Sequence, residues 1–253
     1  MKKTVKIIAG ISAAVILSTS VTAGCMYFAA KKSIVKLPLN FTVTAHTGCD
    51  GTADNSIESI VAANNTGAEI AEFDLRFDSS GMGILAHDEG KENPVTLEEA
   101  FSTVAFFPDL KVNVDCKTTD NLKEVYRLSE KYGLTDRIFY TGIEEKDVEA
   151  VKAQTPQIPY YLNYDVDASK KNDSEYINSL ISLVKEKGAV GLNVKFTGCS
   201  KKMTEMFREE GLGVSVWTAK ELFTMLKCIS FAPDNITTKQ PEMLIKLIKH
   251  LSK

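Results

Sequence analysis

The chain is poor in cysteine, histidine and clustered positive charge, and these shortages exclude several classes of protein. Its five cysteines include no CxxC spacing, which argues against a structural zinc site. No tract of lysine or arginine follows Lys36 and the net charge is −3, so nucleic acid is not an expected partner. No internal repeat is present. Four cysteines lie beyond the first 30 residues and could pair in an oxidising compartment, although the sequence does not give their connectivity.

The first thirty residues differ from the rest of the chain. Lysines precede an apolar run over residues 7–30, which reaches the ~20 residues that a bilayer core requires. We expect an uncleaved transmembrane signal anchor, residues 1–32, and a linker, residues 33–40, with the remainder held at the cell surface. The alternatives are a cleaved signal peptide, with a secreted product, and a lipoprotein site at Cys25. All three place the remainder outside the cytoplasm.

From residue 41 onward, strand-like and helix-like segments alternate to the end of the chain. Eight such pairs in sequence predict an α/β fold, a parallel TIM (β/α)8 barrel over residues 41–253. The predicted strands are Phe41–His46, Glu69–Phe77, Lys111–Lys117, Ile138–Thr141, Ile158–Asp165, Val190–Phe196, Gly213–Thr218 and Asn235–Thr238. The predicted helices are Ser56–Asn64, Leu97–Val104, Asn121–Tyr132, Glu144–Gln154, Asp173–Lys187, Lys201–Glu210, Lys220–Ile229 and Pro241–Leu251.

Alternation within the strands indicates which face is polar. Glu72 and Asp74 alternate with apolar residues in the second predicted strand, and Asp115 and Lys117 do so in the third. An open, doubly wound sheet would be apolar on both faces. Here one face becomes polar toward the carboxyl end of the strand, where barrel active sites form. We therefore expect the functional site at that end of the barrel.

Three carboxylates on this polar face are candidate metal ligands. Glu72, Asp74 and Asp115 offer oxygen atoms only, which favours Ca²⁺ or Mg²⁺ over zinc or copper. The alternative is a network of salt bridges to Arg76 and Lys117 without a cation. Burying carboxylates without partners is costly, so we favour the metal site.

Only three histidines occur in the chain, and two of them end strand-like stretches. His46 and His87 suit an acid/base pair beside the carboxylates, although single histidines at strand ends are often structural. Lys117 is expected to neutralise charge on transferring phosphoryl oxygens. The third histidine, His250, is expected at the surface, and Asp88 is expected to be a turn residue rather than a partner of His87.

Three further residues are expected to contact substrate. Thr47 follows the first histidine, Lys195 lies on the polar face of the sixth predicted strand, and Trp217 lies near the end of the seventh. A core position is the alternative for Trp217, because aromatic residues in barrel strands usually pack in the core.

In combination these residues resemble the glycerophosphodiester phosphodiesterase family. Its opening histidine motif and the Pro-Glu-Asn-Thr block after it resemble residues His46–Gly48 and Ala53–Ser56. Its Glu-x-Asp and His-Asp block resembles Gly67–Asp88, and its third strand resembles Lys111–Lys117. Two segments near the end of the chain, Gly213–Thr218 and Asn235–Glu242, are also similar to the family.

The resemblance implies a TIM barrel that hydrolyses a glycerophosphodiester to an alcohol and glycerol phosphate. It also implies roles for matching residues. His46 and His87 would be the acid/base pair, and Lys117 would contact the phosphate. Glu72, Asp74 and Asp115 would hold Ca²⁺ or Mg²⁺.

The chain departs from the family at several places. Thr47 replaces an arginine that would contact phosphate, Asp54 replaces a glutamate, and Lys239 stands where the family usually has aspartate. Asp115 replaces the third glutamate and is similar to the ligand of sphingomyelinase D-like phospholipases. Residues 89–110 are too few for the small inserted subdomain of the family. Two other functions therefore stay open: a phospholipase D-like or sphingomyelinase D-like activity on lysophospholipids, and a barrel that binds phosphodiesters without catalysis.

Overall fold

A computed structural model of the chain describes residues 24–34 and 37–253. In these residues the strands are β1 (Thr42–Ala45), β2 (Ile70–Phe77), β3 (Gly83–Leu85), β4 (Lys111–Cys116), β5 (Ile138–Ile143), β6 (Tyr160–Asn163), β7 (Gly191–Lys195), β8 (Gly213–Ala219) and β9 (Asn235–Thr238). The helices after residue 37 are α1 (Ile57–Asn65), α2 (Leu97–Val104), α3 (Leu122–Lys131), α4 (Val148–Gln154), α5 (Ser174–Lys187), α6 (Lys201–Glu209), α7 (Leu222–Phe231) and α8 (Pro241–Leu251).

The parallel sheet closes on itself and forms a barrel. β1 pairs in parallel with both β2 and β9, so the first and last strands are neighbours. The ring continues from β2 through β4, β5, β6, β7 and β8 to β9, which confirms the predicted TIM barrel. β3 lies outside the ring, paired antiparallel with the end of β2 through Leu75 and Leu85. This strand was not predicted, because three residues are too few to show an alternating pattern.

Local signals in the sequence set several helix ends. The Thr96 hydroxyl accepts a hydrogen bond from the backbone N–H of Glu99, and the Glu99 carboxylate accepts one from the Thr96 backbone. Gly188 ends α5 in the left-handed conformation, with φ 77°. Pro241 begins α8, where the missing N–H of proline costs no helical hydrogen bond.

The two faces of the barrel strands differ in the way that their alternation predicts. The outer face packs on the helices, as shown by Phe73 of β2, whose ring centroid lies 6.3 Å from that of Phe101 in α2. The inner face carries buried amides and hydroxyls that bond to one another. Thr141 Oγ1 lies 2.8 Å from Asn113 Oδ1, and Asn193 donates to Asn163 at 3.0 Å. These hydrogen bonds satisfy polar groups beneath the barrel mouth.

The segment before the barrel is partly described. Residues 24–34 are helical and lie against the barrel, where Ser33 Oγ donates to the backbone oxygen of Ser230 at 3.0 Å. The predicted boundary between anchor and linker falls within this helix. Residues 1–23 of the predicted anchor lie outside the described residues. In residues 24–34 and 37–253, no helix has both the length and the hydropathy to cross a bilayer, so the transmembrane prediction finds no support there. All five cysteines are free thiols rather than disulfides.

Two paired glycines allow a tyrosine ring to fill the amino-terminal part of the barrel. Gly191 and Gly213 are opposite each other on β7 and β8. A Cβ atom added to Gly191 would lie 2.0 Å from the carbonyl oxygen of Gly213 and 2.8 Å from Cε1 of Tyr161. The Tyr161 ring also packs edge-on against Phe139, with centroids 5.7 Å apart.

Replacing Gly191 with alanine is therefore expected to destabilise the barrel. The added methyl group must displace backbone or the Tyr161 ring, and such overpacking costs about 1–3 kcal/mol. Chemical denaturation of Gly191→Ala should show this loss in the free energy of unfolding. The neighbouring Val190→Ala, at an exposed position, is the control and should change stability by less than about 0.5 kcal/mol. Equal stability of the two variants would contradict the close approach of β7 and β8.

Candidate active site

Neighbouring strand ends bring the predicted ionisable residues together at the carboxyl-terminal mouth of the barrel. β9, β1, β2 and β4 are adjacent, and Ala45 pairs with both Ala71 and Thr238. One residue further along, His46 lies between Glu72 and Lys239 at the strand ends. These side chains line a cavity of about 390 Å³. The cavity is also lined by Asp74, His87, Asn113, Asp115, Lys117, Thr141, Asn163, Asn193, Trp217, Thr218, Lys220 and Thr237.

The three predicted metal ligands converge. Glu72, Asp74 and Asp115 each place an oxygen atom within 4.8 Å of the others. Glu72 and Asp74 are 6% and 4% exposed, so their charges are largely removed from water. Burial, together with the charges of Asp74 and Asp115, raises the pKa of Glu72 well above its usual range. An all-oxygen set under this electrostatic load fits a hard cation such as Ca²⁺ or Mg²⁺.

Hydrogen bonds from the loop after β1 orient two of these carboxylates. The backbone N–H of Thr47 donates to Glu72 Oε2 at 2.7 Å. Asn55 makes two hydrogen bonds to Asp74. Its Nδ2 donates to Asp74 Oδ2 at 2.8 Å, and its Oδ1 accepts from the Asp74 backbone N–H at 2.9 Å. Asn55 has φ 55°, a left-handed conformation that asparagine tolerates better than most residues. The loop therefore positions the carboxylates on β2.

The third carboxylate is held from the neighbouring strand. Thr141 of β5 donates to Asp115 Oδ1 at 2.7 Å. The next residue, Gly142, has φ 75°, and a Cβ atom there would lie 2.3 Å from the backbone oxygen of Cys116 and 3.0 Å from Asp115 Oδ1. Only glycine fits this approach without displacing β4.

Lys117 lies between two of the carboxylates. Its ammonium group is 2.9 Å from Asp74 Oδ1 and also donates to Asp115. Burial acts to lower the pKa of Lys117, but the two aspartates outweigh it and raise that pKa above its usual range. Burial likewise acts to raise the pKa of Asp74, and Lys117 and Asn55 together lower it. The salt-bridge network of the alternative interpretation thus forms around Lys117. Arg76 does not join it, because it donates to the backbone oxygen of His87 at 2.9 Å and pairs with Glu89 at 3.4 Å.

Both predicted acid/base histidines line the cavity, and each has one ring nitrogen engaged. Nδ1 of His46 lies 2.9 Å from the carbonyl oxygen of Thr47, which can only accept, so Nδ1 carries the proton. Nδ1 of His87 lies 3.0 Å from Asp88 Oδ1. Asp88 therefore orients His87, contrary to the prediction of a simple turn residue. In both rings Nε2 is the nitrogen left for proton transfer.

The three predicted substrate contacts lie in different places. Thr47 is 2% exposed and does not line the cavity, since its hydroxyl oxygen accepts the backbone N–H of Asn55 at 2.5 Å. The structure therefore does not place this side chain where it was expected, at the surface of the cavity. Trp217 lines the cavity and also an adjoining groove of about 670 Å³. Lys195 lies in that groove only, with Nζ 5.6 Å from the centroid of the Trp217 ring.

Some residues of the site were not assigned roles from the sequence. Asn55 belongs to a motif that resembles the family, yet its contact with Asp74 spans 19 residues and leaves no local pattern. Thr141 pairs with Asp115 in the strand register, a position that parity alone could have indicated. Lys220 and Lys239 follow the ends of β8 and β9 and add two cations to the cavity.

The comparison with known proteins shows the fold. No protein-family model and no curated protein sequence matches the chain. An Oleispira antarctica phosphodiesterase, solved in complex with the product sn-glycerol-3-phosphate, is 16% identical, with a TM-score of 0.68, and the match covers 86% of this chain and 99% of that one. A glycerophosphodiester phosphodiesterase from Thermotoga maritima is 20% identical, with a TM-score of 0.64 and coverage of 82% and 98%.

A third glycerophosphodiester phosphodiesterase, from Parabacteroides distasonis, is 19% identical, with a TM-score of 0.64, and the match covers 85% of this chain and 99% of that one. The three matches extend over nearly the full length of the solved chains. The chain thus has the TIM barrel found in glycerophosphodiester phosphodiesterases, as its sequence motifs indicated.

The raised pKa of Glu72 predicts an inverse dependence of stability on pH in metal-free protein. The folded state keeps a proton on Glu72 that the unfolded chain releases near 4.5, so stability falls as pH rises from 4.5 toward the raised value. The slope reaches up to about 1.4 kcal/mol per pH unit. Denaturation in EDTA should show this decline for the natural chain and a smaller one for Glu72→Gln. The exposed Glu92→Gln is the control, and an unchanged decline in Glu72→Gln would contradict the assignment.

Proposed function

We propose that the chain is a metal-dependent phosphoric diester hydrolase that converts glycerophosphodiesters to an alcohol and glycerol phosphate. The observation that carries the proposal is the convergence of three carboxylates, within 4.8 Å of one another, and two histidines in one cavity. The similarity to solved glycerophosphodiester phosphodiesterases supports it, as does the glycerol phosphate bound to one of them.

The metal would be held by Glu72, Asp74 and Asp115. Their donor set is all oxygen. The raised pKa of Glu72 reflects its burial first and then the charges of Asp74 and Asp115, and a divalent cation would offset both effects. When bound, Ca²⁺ or Mg²⁺ supplies positive charge to the phosphate oxygens and makes the phosphorus more susceptible to attack. Hydrogen bonds from Thr47, Asn55 and Thr141 orient the carboxylates in advance.

The two histidines would move the protons of the reaction. One imidazole takes a proton at Nε2 from the attacking hydroxyl or water, and the other gives a proton at Nε2 to the departing alkoxide. Asp88 Oδ1 lies 3.0 Å from His87 Nδ1 and so orients that ring. Lys117 remains beside the developing phosphoryl charge while it balances Asp74 and Asp115.

The adjoining groove leaves room for a larger substrate, so a phospholipase D-like activity on lysophospholipids is the second candidate function. It opens from the cavity at Trp217, and its volume of about 670 Å³ can accept a bulky alcohol. A phospholipase D-like cut would leave a phosphorylated lipid instead of glycerol phosphate, so product analysis separates the two reactions. We further propose that the site works outside the cytoplasm, on the basis of the apolar run over residues 7–30.

Replacing either cavity histidine is expected to abolish proton transfer while the barrel remains folded. His46→Gln and His87→Gln should each lower kcat about 10²–10⁴-fold in an assay of glycerol phosphate release with Ca²⁺ or Mg²⁺. His250→Gln is the matched control, since this histidine lies near the end of α8, and it should keep full activity. Full activity in either cavity variant would overturn the proposed mechanism.

Metal affinity is expected to depend on Asn55. Asn55→Ala removes both hydrogen bonds to Asp74, and the loss of such an orienting partner weakens metal binding about 10–100-fold. Calorimetric titration with Ca²⁺ and Mg²⁺ measures this directly. Asn65→Ala, at an exposed position at the end of α1, is the control. Equal affinity in the two variants would show that Asp74 is not a ligand or needs no support.

A further inference from the structure

A phosphodiester that enters the cavity needs a cation for its charged oxygens, and three lysines line the cavity: Lys117, Lys220 and Lys239. Lys117 is engaged on two sides, because its ammonium group pairs with both Asp74 and Asp115. Its positive charge therefore offsets the charges of these two carboxylates. Lys220 and Lys239 are the cavity lysines left for the phosphate oxygens that face away from the carboxylates.

Lys239 occupies the opposite side of the cavity, next to the first histidine. The backbone N–H of His46 donates to the Thr238 oxygen at 2.9 Å, so the next residue of this chain segment, Lys239, leaves β9 beside His46. Residues of β9 alternate in direction, which puts Thr237 and Lys239 on the face that lines the cavity. Lys239 thus stands at the join between the last strand and the first.

The partner of Lys239 is an exposed carboxylate. Nζ lies 2.7 Å from Asp54 Oδ1, and the two side chains are 35% and 58% exposed. Exposed ion pairs of this kind contribute little to stability, so a ligand can exchange with one member. The Asp74–Lys117 pair differs, because the Asp74 side chain is only 6% exposed and has two further hydrogen bonds from Asn55.

A glycine in the loop after β1 allows the Asp54–Lys239 pair to lie close to the backbone. Gly48 has φ 72°, and a Cβ atom there would meet Asp54 Oδ1 at 1.9 Å and Lys239 Nζ at 3.3 Å. The ammonium group therefore lies directly over the segment that follows His46. In that segment Thr47 is buried, its hydroxyl oxygen accepts the backbone N–H of Asn55, and its side chain does not line the cavity.

We propose that Lys239 binds the negatively charged oxygens of the substrate phosphate and that Asp54 holds this ammonium group until the phosphate displaces it. The inference rests on the proposed function, since it assigns the phosphate contact of the same site. Substrate and Asp54 compete for one cation. Removing Asp54 consequently has the opposite effect on phosphate binding to removing Lys239.

The test uses Lys239→Met and Asp54→Asn with two readouts, KM for a glycerophosphodiester and binding of glycerol 3-phosphate by calorimetry in Ca²⁺. Lys239→Met should weaken both at least about tenfold, Lys239→Arg should largely restore them, and Asp54→Asn should tighten both. Lys246→Met is the matched control, because Lys246 pairs with Glu242 at 2.8 Å on the surface of α8.

The alternative is that the pair only fastens the loop. In that case Lys239→Met and Asp54→Asn would lose activity and thermal stability together and to similar extents, which would overturn the inference. Calorimetric binding of glycerol 3-phosphate tests this inference separately from the proposed hydrolase function. If no diester is hydrolysed, the hydrolase proposal fails while loss of glycerol 3-phosphate binding in Lys239→Met alone still supports the contact. Absence of binding by the natural chain overturns the inference.

Discussion

The mutual repulsion of three carboxylates, two of them buried, is the constraint around which this barrel mouth is built. Glu72, Asp74 and Asp115 lie within 4.8 Å of one another, in surroundings that screen charge poorly. Three neighbouring segments supply hydrogen-bond donors or positive charge that offset the repulsion. The loop after β1 donates from Thr47 and Asn55, β5 donates from Thr141, and the residue after β4 places an ammonium group between the aspartates.

The barrel accommodates this concentration of charge because apolar packing lies on the outer face of the strands and polar packing on the inner face. The outward side chains of each strand form an apolar layer with the helices, and that layer holds the strands in register. The inward side chains are then free to be polar, and they bond to one another beneath the cavity, as Asn163 and Asn193 do. Stability comes mainly from the outer layer and chemistry from the inner one, so the site adds local cost without weakening the hydrophobic core.

Strand alternation and the order of the elements were enough to predict the barrel and its acidic mouth. Eight strand–helix pairs indicated the barrel, and the parity of Glu72, Asp74, Asp115 and Lys117 placed them at one mouth. Contacts between distant segments could not be read in this way. Asn55 reaches Asp74 across 19 residues, and Lys239 reaches Asp54 across 185. The burial of Thr47 also depends on tertiary structure. Its hydroxyl oxygen accepts the backbone N–H of Asn55, and local sequence preferences do not determine the course of the loop that brings the two residues together.

The pairing of β1 with β9 has a consequence for how the chain folds. Thr42 and Asn235 meet there although they are distant in sequence, and contacts of this kind cost loop-closure entropy and slow folding. His46 lies on one side of this seam and Lys239 on the other, so these two parts of the cavity wall meet only when the ring is complete. An incompletely closed chain retains the carboxylates of β2 and β4 but lacks the opposing wall. A ligand that contacts both β1 and β9 therefore binds only the closed barrel and stabilises that state.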